Sequence, residues 1–367
     1  MQNKSYDIPE NNLLSTHPLV VLENVSIGYG NAKIVARKLF ATIECGRVVC
    51  LLGSNGTGKS TLIRTLCGFQ HALEGQIVLN DKPLSAYSPQ KLSKELSVVL
   101  TDKVDIANAT VEEFVAYGRS PYTNFLGQLT DDDKTIIETA MVNCRIIHKR
   151  NEYIANLSDG EKQKAVIAKS IAQNTPLIIL DEPTAFLDLP ARVEIMQLLR
   201  MLAVKANKAI LMSTHDMDLA LQMADKLWIL HKNGPITEGC PEDLLLSGSF
   251  NTLFGESNIT FDIKTGLFKV FHEYKYVLPV KGHGFHYTLL RRAFARNGIN
   301  LVQAGEEKAL LLEINPQNPD VYSFYADNIL LQSTNSIEKL LEIVIQKLST
   351  THSTAKHQEN SSYDHLF

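Results

Sequence analysis

The chain has 367 residues, more than one ordinary domain uses and enough for two. With 44% hydrophobic and 21% charged residues it reads as globular, and a net charge of −4 excludes a global pull toward nucleic acid or anionic lipid. Five scattered cysteines (Cys45, Cys50, Cys67, Cys144, Cys240) lack metal-ligand spacing and argue against a disulfide framework, which points to a reducing compartment.

Residues 1–17 read as a flexible polar leader, with no apolar stretch that would make them a signal peptide. No apolar run reaches the roughly 18 residues that a membrane-spanning helix needs, so a membrane role has to pass through a partner. Residues 19–27 (LVVLENVSI) are strand-like and open a first domain expected over 18–255. Residues 47–52 (RVVCLL) suit a central buried strand, followed by a Gly-rich loop and a helix from Lys59 to Cys67. Further buried strands are expected at 177–181 and 209–213, with a mostly helical stretch over 108–175. Strands alternating with helices predict an α/β fold, a parallel sheet covered on both faces.

After about Gly255 the character changes, and an accessory α+β domain is expected over 256–349. It reads as strands within 259–280 turning at Thr265-Gly266, and a helix over 286–297 stopped by Gly298. Strands at 308–314 and 321–332 and a last helix over 336–349 follow. Ile337, Leu340, Leu341, Val344, Ile345 and Leu348 place one apolar stripe on that helix. Residues 350–367 read as a disordered tail. His283 and His286, with His272 nearby, invite a metal reading, against the plainer one of a loop beside a helix start.

Two segments carry chemistry. Gly53-Ser54-Asn55-Gly56-Thr57-Gly58-Lys59-Ser60-Thr61 fits the pattern G-x-x-x-x-G-K-[ST]. Its glycines let backbone N–H groups wrap phosphate oxygens, and the helix behind adds its positive dipole end. Lys59 suits the β- and γ-phosphates and the Ser60 hydroxyl suits Mg²⁺. By itself the motif leaves GTPase, kinase and ATPase open. The second segment, Leu177 to Glu182 (LIILDE), is a buried strand ending in two carboxylates. Asp181 suits a role linked to Mg²⁺, and Glu182 suits the general base for an attacking water.

Residues 157–164 (LSDGEKQK) stand at a helix start just before the acidic strand. In this order the chain resembles the ABC ATPase family, whose signature reads LSGGQ, and the resemblance spans about residues 19–250. It implies a P-loop cassette with a parallel-sheet core and a helical subdomain, and ATP with Mg²⁺ as cofactors. It further implies that Ser158 and the N–H of Gly160 grip the γ-phosphate of ATP held by the opposite subunit of a homodimer. Asp159 and Glu161 depart from the signature, and Asp159 either points away or caps the helix. Tyr29 matches the aromatic that stacks on adenine, with a core aromatic as the plainer reading. Asp188 matches the loop joining the two subunits, with a simple turn residue as the alternative, and His215 matches the switch histidine on the γ-phosphate. Thr101 stands where the family has a metal-binding glutamine, with Asp102 beside it.

Only 99 positions (158 − 59) separate Lys59 from Ser158, which leaves no room for an inserted coiled coil. Residues 110–122 (TVEEFVAYGRSPY) resemble the cassettes that import iron–siderophore complexes, haem and vitamin B12, at the place where these receive a helix of the membrane subunit. Their plainer reading is a helix end and turn, since Gly118 and Pro121 both stop helices. The resemblance implies an ATPase that powers a membrane importer. Its expected partners are integral membrane permease subunits and, through them, a substrate-binding protein, with no nucleic acid. Its expected place is the cytoplasmic face of the inner membrane, held peripherally. A regulatory ABC ATPase without transport and the cassette of an exporter with separate membrane subunits are the alternatives.

Overall fold

The computed structural model describes residues 17–30, 33–100, 108–185, 187–254, 259–262, 267–270, 272–305 and 309–361. Residues 1–16 of the leader, Thr101 with Asp102 and Lys103, and the Thr265-Gly266 turn lie outside these. The chain divides near residue 256 into two compact units.

In the first unit β1 (Pro18–Tyr29) and β2 (Lys33–Glu44) pair antiparallel. Next comes β3 (Val48–Leu52), buried at every position, and the loop into α1 (Lys59–Leu66). The chain then returns through β4 (Glu74–Leu79) and β5 (Lys82–Pro83), giving an antiparallel sheet in the order β2-β1-β4-β5. Only the 19–27 segment of this sheet was legible in the sequence. The β1–β2 pairing slips register four times, and such bulges break the alternation that marks a half-buried strand.

Helix α2 (Pro89–Glu95), capped by Ser88, leads to β6 (Leu96–Val99). Three helices follow: α3 (Val111–Ala116), α4 (Asp131–Asn143) and α5 (Asp159–Ala172). Each opens with a capping box, Thr110 with Glu113, Thr130 with Asp133, and Ser158 with Glu161. In each the two side chains satisfy otherwise orphaned N–H groups of the first turn. The helical subdomain expected over 108–175 is this trio.

The GRSPY segment holds that trio together. A Cβ on Gly118 would stand 2.2 Å from the carbonyl oxygen of Lys169, so only glycine lets this turn lie against α5. Buried Arg119 donates to Asp133 on α4 at 2.7 Å and to the Ala172 carbonyl of α5 at 2.9 Å, and it lies over the Tyr122 ring. Replacing Arg119 by Met is therefore expected to cost about 3–5 kcal/mol by stranding a buried carboxylate. The measurement is a lowered denaturant midpoint with little change in m-value. The Thr130 N–H and hydroxyl, together with Arg119, hold the Asp133 carboxyl below its ordinary range. Its stabilising effect is thus present above about pH 4 and disappears as pH falls through the lower folded-state value.

The parallel core continues with β7 (Leu177–Leu180), α6 (Leu189–Ala206), β8 (Ala209–Ser213), α7 (Met217–Met223) and β9 (Lys226–Leu230). Antiparallel β10 (Ile236–Gly239) and α8 (Pro241–Leu246) complete it. The six-stranded order is β10-β9-β3-β8-β7-β6, parallel except at β10, with β3 inside the sheet as expected. Cys50 and Cys67 are buried, which pushes each thiol up to about 12 and leaves it unreactive.

The second unit has a two-stranded pair, β11 (Ile259–Asp262) and β12 (Leu267–Val270). Its main sheet begins with β13 (Tyr276–Lys281), α9 (Gly284–Ala295) and β14 (Ile299–Gln303), a parallel βαβ unit. On the other side of β13 lie β15 (Leu310–Ile314), β16 (Tyr322–Ala326) and β17 (Ile329–Thr334), so the order is β14-β13-β15-β16-β17. The expected strand at 321–332 is a hairpin. Asp327 and Asn328 both take positive φ, 49° and 63°, the pattern of a tight two-residue turn.

Helix α10 (Ile337–Ser361) runs past the expected end at residue 349, so residues 350–361 are helical where a disordered tail was expected. Neither glycine nor proline interrupts them. On α10, Leu340, Val344 and Leu348 are buried against Phe294, Leu312 and Phe324. Ile345, expected in the stripe, is exposed, and Ile343 packs against the core instead.

Candidate functional site

The glycines of the phosphate loop follow from close approach. A Cβ on Gly53 would stand 2.6 Å from Thr57 Oγ1 and 3.0 Å from the Leu230 carbonyl oxygen. Gly58 has φ 104°, and a Cβ there would meet Val35 Cγ1 at 2.3 Å. The loop closes on itself through Thr57, whose N–H and hydroxyl both donate to the Ser54 carbonyl. Ser54, Asn55, Gly56 and Ser60 face solvent, while Thr57, Lys59 and Thr61 are buried.

Lys59 Nζ donates to the carbonyls of Gly53 at 2.7 Å and Ser54 at 3.4 Å. Burial lowers the Lys59 pKa, and the carboxylates of Glu182 and Asp181 oppose that shift. With β7 beside β8 and β8 beside β3, all parallel, the acidic strand end and the phosphate loop stand at the same edge of the sheet, as expected.

Ser213, at the end of β8, organises the acidic pair. Its hydroxyl donates to Asp181 Oδ1 at 2.6 Å and accepts the Glu182 N–H at 2.9 Å. Glu182 has φ 50°, a left-handed conformation that costs a non-glycine residue about 1–2 kcal/mol. Its carboxylate is thereby turned toward His215, whose Nε2 lies 2.8 Å from Glu182 Oε1. Ser213 is a site residue that no motif in the sequence singles out. Its signal was a serine at the end of an apolar strand that neighbours the acidic one. Ser213→Ala is expected to cost about 1–3 kcal/mol of stability, because the Glu182 N–H loses its acceptor and Asp181 loses a donor. Calorimetric unfolding checks this.

Tyr29, at the end of β1, is 54% exposed, which removes the core-aromatic reading, and its hydroxyl meets Thr61 Oγ1 at 3.0 Å. Asp188 caps α6 by accepting the Ala191 N–H at 3.0 Å. Arg192 ties this turn to the residue after His215, donating to the Leu187 carbonyl at 2.7 Å and to Asp216 at 3.3 Å. Ser158 and Gly160 stand at the start of α5, and Leu187 Cδ2 lies 3.9 Å from where a Gly160 Cβ would be. Ser158 caps this helix; Asp159 is its exposed first residue. Thr101 lies outside the described residues.

The metal reading of the second unit finds no support. His286 meets the Tyr322 hydroxyl at 3.1 Å and Asp320 at 3.7 Å. Among the described residues no three His, Cys, Asp or Glu side chains cluster to hold an ion.

The model of the ABC transporter family matches residues 37–185. An uncharacterized ABC transporter ATP-binding protein of Methanocaldococcus jannaschii is 40% identical over 250 residues, covering 68% of this chain and 85% of that protein. An iron(3+)-hydroxamate import ATP-binding protein of Bacillus subtilis is 32% identical over 244 residues, covering 66% of this chain and 90% of its own length. A solved ABC transporter described as metal-chelate type, in an inward-facing conformation, superposes with a TM-score of 0.57 at 27% identity over 65% of this chain and 89% of its own. No helix among the described residues is long and apolar enough to cross a membrane. With a phosphate loop, an acidic strand end and a histidine assembled at one sheet edge, and with these relatives, the chain belongs to the ABC transporter ATP-binding proteins, cassettes that bind and hydrolyse ATP.

Proposed function

We propose that this chain is the ATP-hydrolysing subunit of a membrane importer whose cargo is an iron–siderophore complex. The supporting observation is likeness over most of the cassette to proteins named for iron(3+)-hydroxamate and petrobactin import. Haem and cobalamin are the other cargoes that the GRSPY resemblance admits. Residues 18–255 form the cassette and 256–349 an accessory domain.

Two copies sandwich two ATP molecules. Each site takes Gly53 to Thr61 from one chain and Ser158 with the Gly160 N–H from the other, and Asp188 lies at the junction. Tyr29 stacks on adenine. Lys59 leaves its loop carbonyls for the β- and γ-phosphates, Glu182 draws the proton from the attacking water, and His215 reads the γ-phosphate. The Ser60 hydroxyl and Asp181 carboxylate offer an all-oxygen donor set that fits Mg²⁺, with Thr101 as a further ligand. Bound there, the ion would supply neutralisation of phosphate charge.

The partner is an integral membrane permease at the cytoplasmic face of the membrane, linked to a substrate-binding protein. A groove of about 500 Å³ lined by Phe69, Tyr87 and Leu92 suits a short permease helix. The test is uptake of labelled ferric siderophore, haem and cobalamin by a deletion strain. Loss of siderophore uptake, with a polytopic protein co-purifying from detergent, is the expected result. Unchanged uptake of all three with a purely soluble complex overturns the proposal.

A further inference from the structure

The start of α5 differs from a neutral anion site in one respect: its serine is already engaged. The Ser158 hydroxyl donates to Glu161 Oε2 at 2.8 Å, and the Ser158 N–H donates to the same oxygen at 2.9 Å. The Glu161 N–H in turn points at Ser158 Oγ at 3.4 Å. A hydroxyl has one hydrogen, so while it serves Glu161 it cannot serve a phosphate. A carboxylate this close to Ser158 also repels a phosphate arriving there. The helix N-terminus favours both anions, so they compete for one place.

The other carboxylate oxygen has a second partner. Lys149 Nζ stands 3.6 Å from Glu161 Oε1 while also meeting Glu152 at 3.1 Å. Lys149 comes from the short helical turn Ile147–Lys149, outside α5, and its side chain is about three-quarters covered. It is placed to take Glu161 away from Ser158.

We infer that Glu161 is a gate over the signature serine and that Lys149 is the counter-charge that opens it. When a γ-phosphate enters, the Ser158 hydroxyl hydrogen turns from Glu161 Oε2 to a phosphate oxygen. The Glu161 carboxylate swings toward Lys149, and the Gly160 N–H completes the grip. Lys149 and Glu161 are positioning residues that set how much ATP is needed to engage the signature. The inference rests on the reading of Ser158 as a γ-phosphate ligand and deepens it.

The experiment measures ATP turnover of the full-length chain against ATP concentration. Its variants are Glu161→Gln, Lys149→Met, the two combined, and Ser158→Ala. Glu161→Gln keeps a side-chain oxygen for the cap and removes the charge, so half-saturating ATP is expected to fall about fivefold. Lys149→Met is expected to raise it about fivefold in the parent chain, less so at high salt, and to leave it unchanged beside Glu161→Gln.

A merely structural cap would lower the unfolding temperature of Glu161→Gln without lowering half-saturating ATP, and that result overturns the inference. An equal Lys149→Met effect in both backgrounds also overturns it. If Ser158→Ala leaves turnover and half-saturation unchanged, the signature reading fails and the gate fails with it. If Ser158→Ala impairs turnover while the charge variants shift nothing, the gate alone fails.

Discussion

Replacing Glu182 by Gln is expected to lower ATP turnover by a factor on the order of 10² to 10⁴, the usual contribution of a positioned general base. Nucleotide binding should persist, because Lys59 and the loop that it closes are untouched. The geometry makes the variant a clean one. Glutamine matches glutamate in size, keeps the backbone N–H on Ser213, and can still accept from His215 Nε2. What it loses is the basic oxygen. The check is steady-state phosphate release beside nucleotide affinity, on the same preparation. Parent-like turnover would remove Glu182 from the role of base.

Lys59→Ala is expected to weaken ATP binding about 10- to 100-fold, the cost of removing a charge-assisted contact to phosphate. The unfolding temperature without nucleotide should change little, because the lost contacts to the loop carbonyls are offset by removal of a buried charge. Lys59 is buried, and desolvation lowers its pKa despite the nearby Glu182 and Asp181. Burial therefore disfavours the protonated ammonium in the nucleotide-free fold and offsets what its contacts to the Gly53 and Ser54 carbonyls contribute, and a bound phosphate compensates the buried charge. Calorimetry of binding and of unfolding separates the two effects. Lost affinity together with a collapsed unfolding temperature would mean that Lys59 is chiefly structural.

These two variants differ in how legible their residues were. Lys59 and Glu182 stand in contiguous motifs, where glycine spacing and an apolar run ending in carboxylates state the chemistry locally. Ser213 acts on a residue 31 positions away, and no local pattern marks such a contact. Arg119 shows a different gap. Its segment resembled a mark of transport class, and its side chain proves to be a buried tie between α4 and α5. A motif can be recognised for its company while its physical work is packing.

The amino-acid order alone determined the parallel core, because strands buried on both faces read as unbroken apolar runs and turn directly into motif loops. It likewise determined the phosphate loop, the acidic strand end and the helical stretch between them. Only the tertiary structure decided the rest. The antiparallel sheet of β1, β2, β4 and β5 depends on a bulged β1–β2 hairpin and on the pairing of β1 with the distant β4. The hairpin of β16 and β17 depends on two positive-φ residues inside what read as one strand. The engagement of Glu161 by Lys149 depends on where a neighbouring turn outside α5 comes to rest. Local periodicity and motif spacing are written along the chain. Long-range hydrogen bonds and ion pairs exist only once the chain has closed on itself.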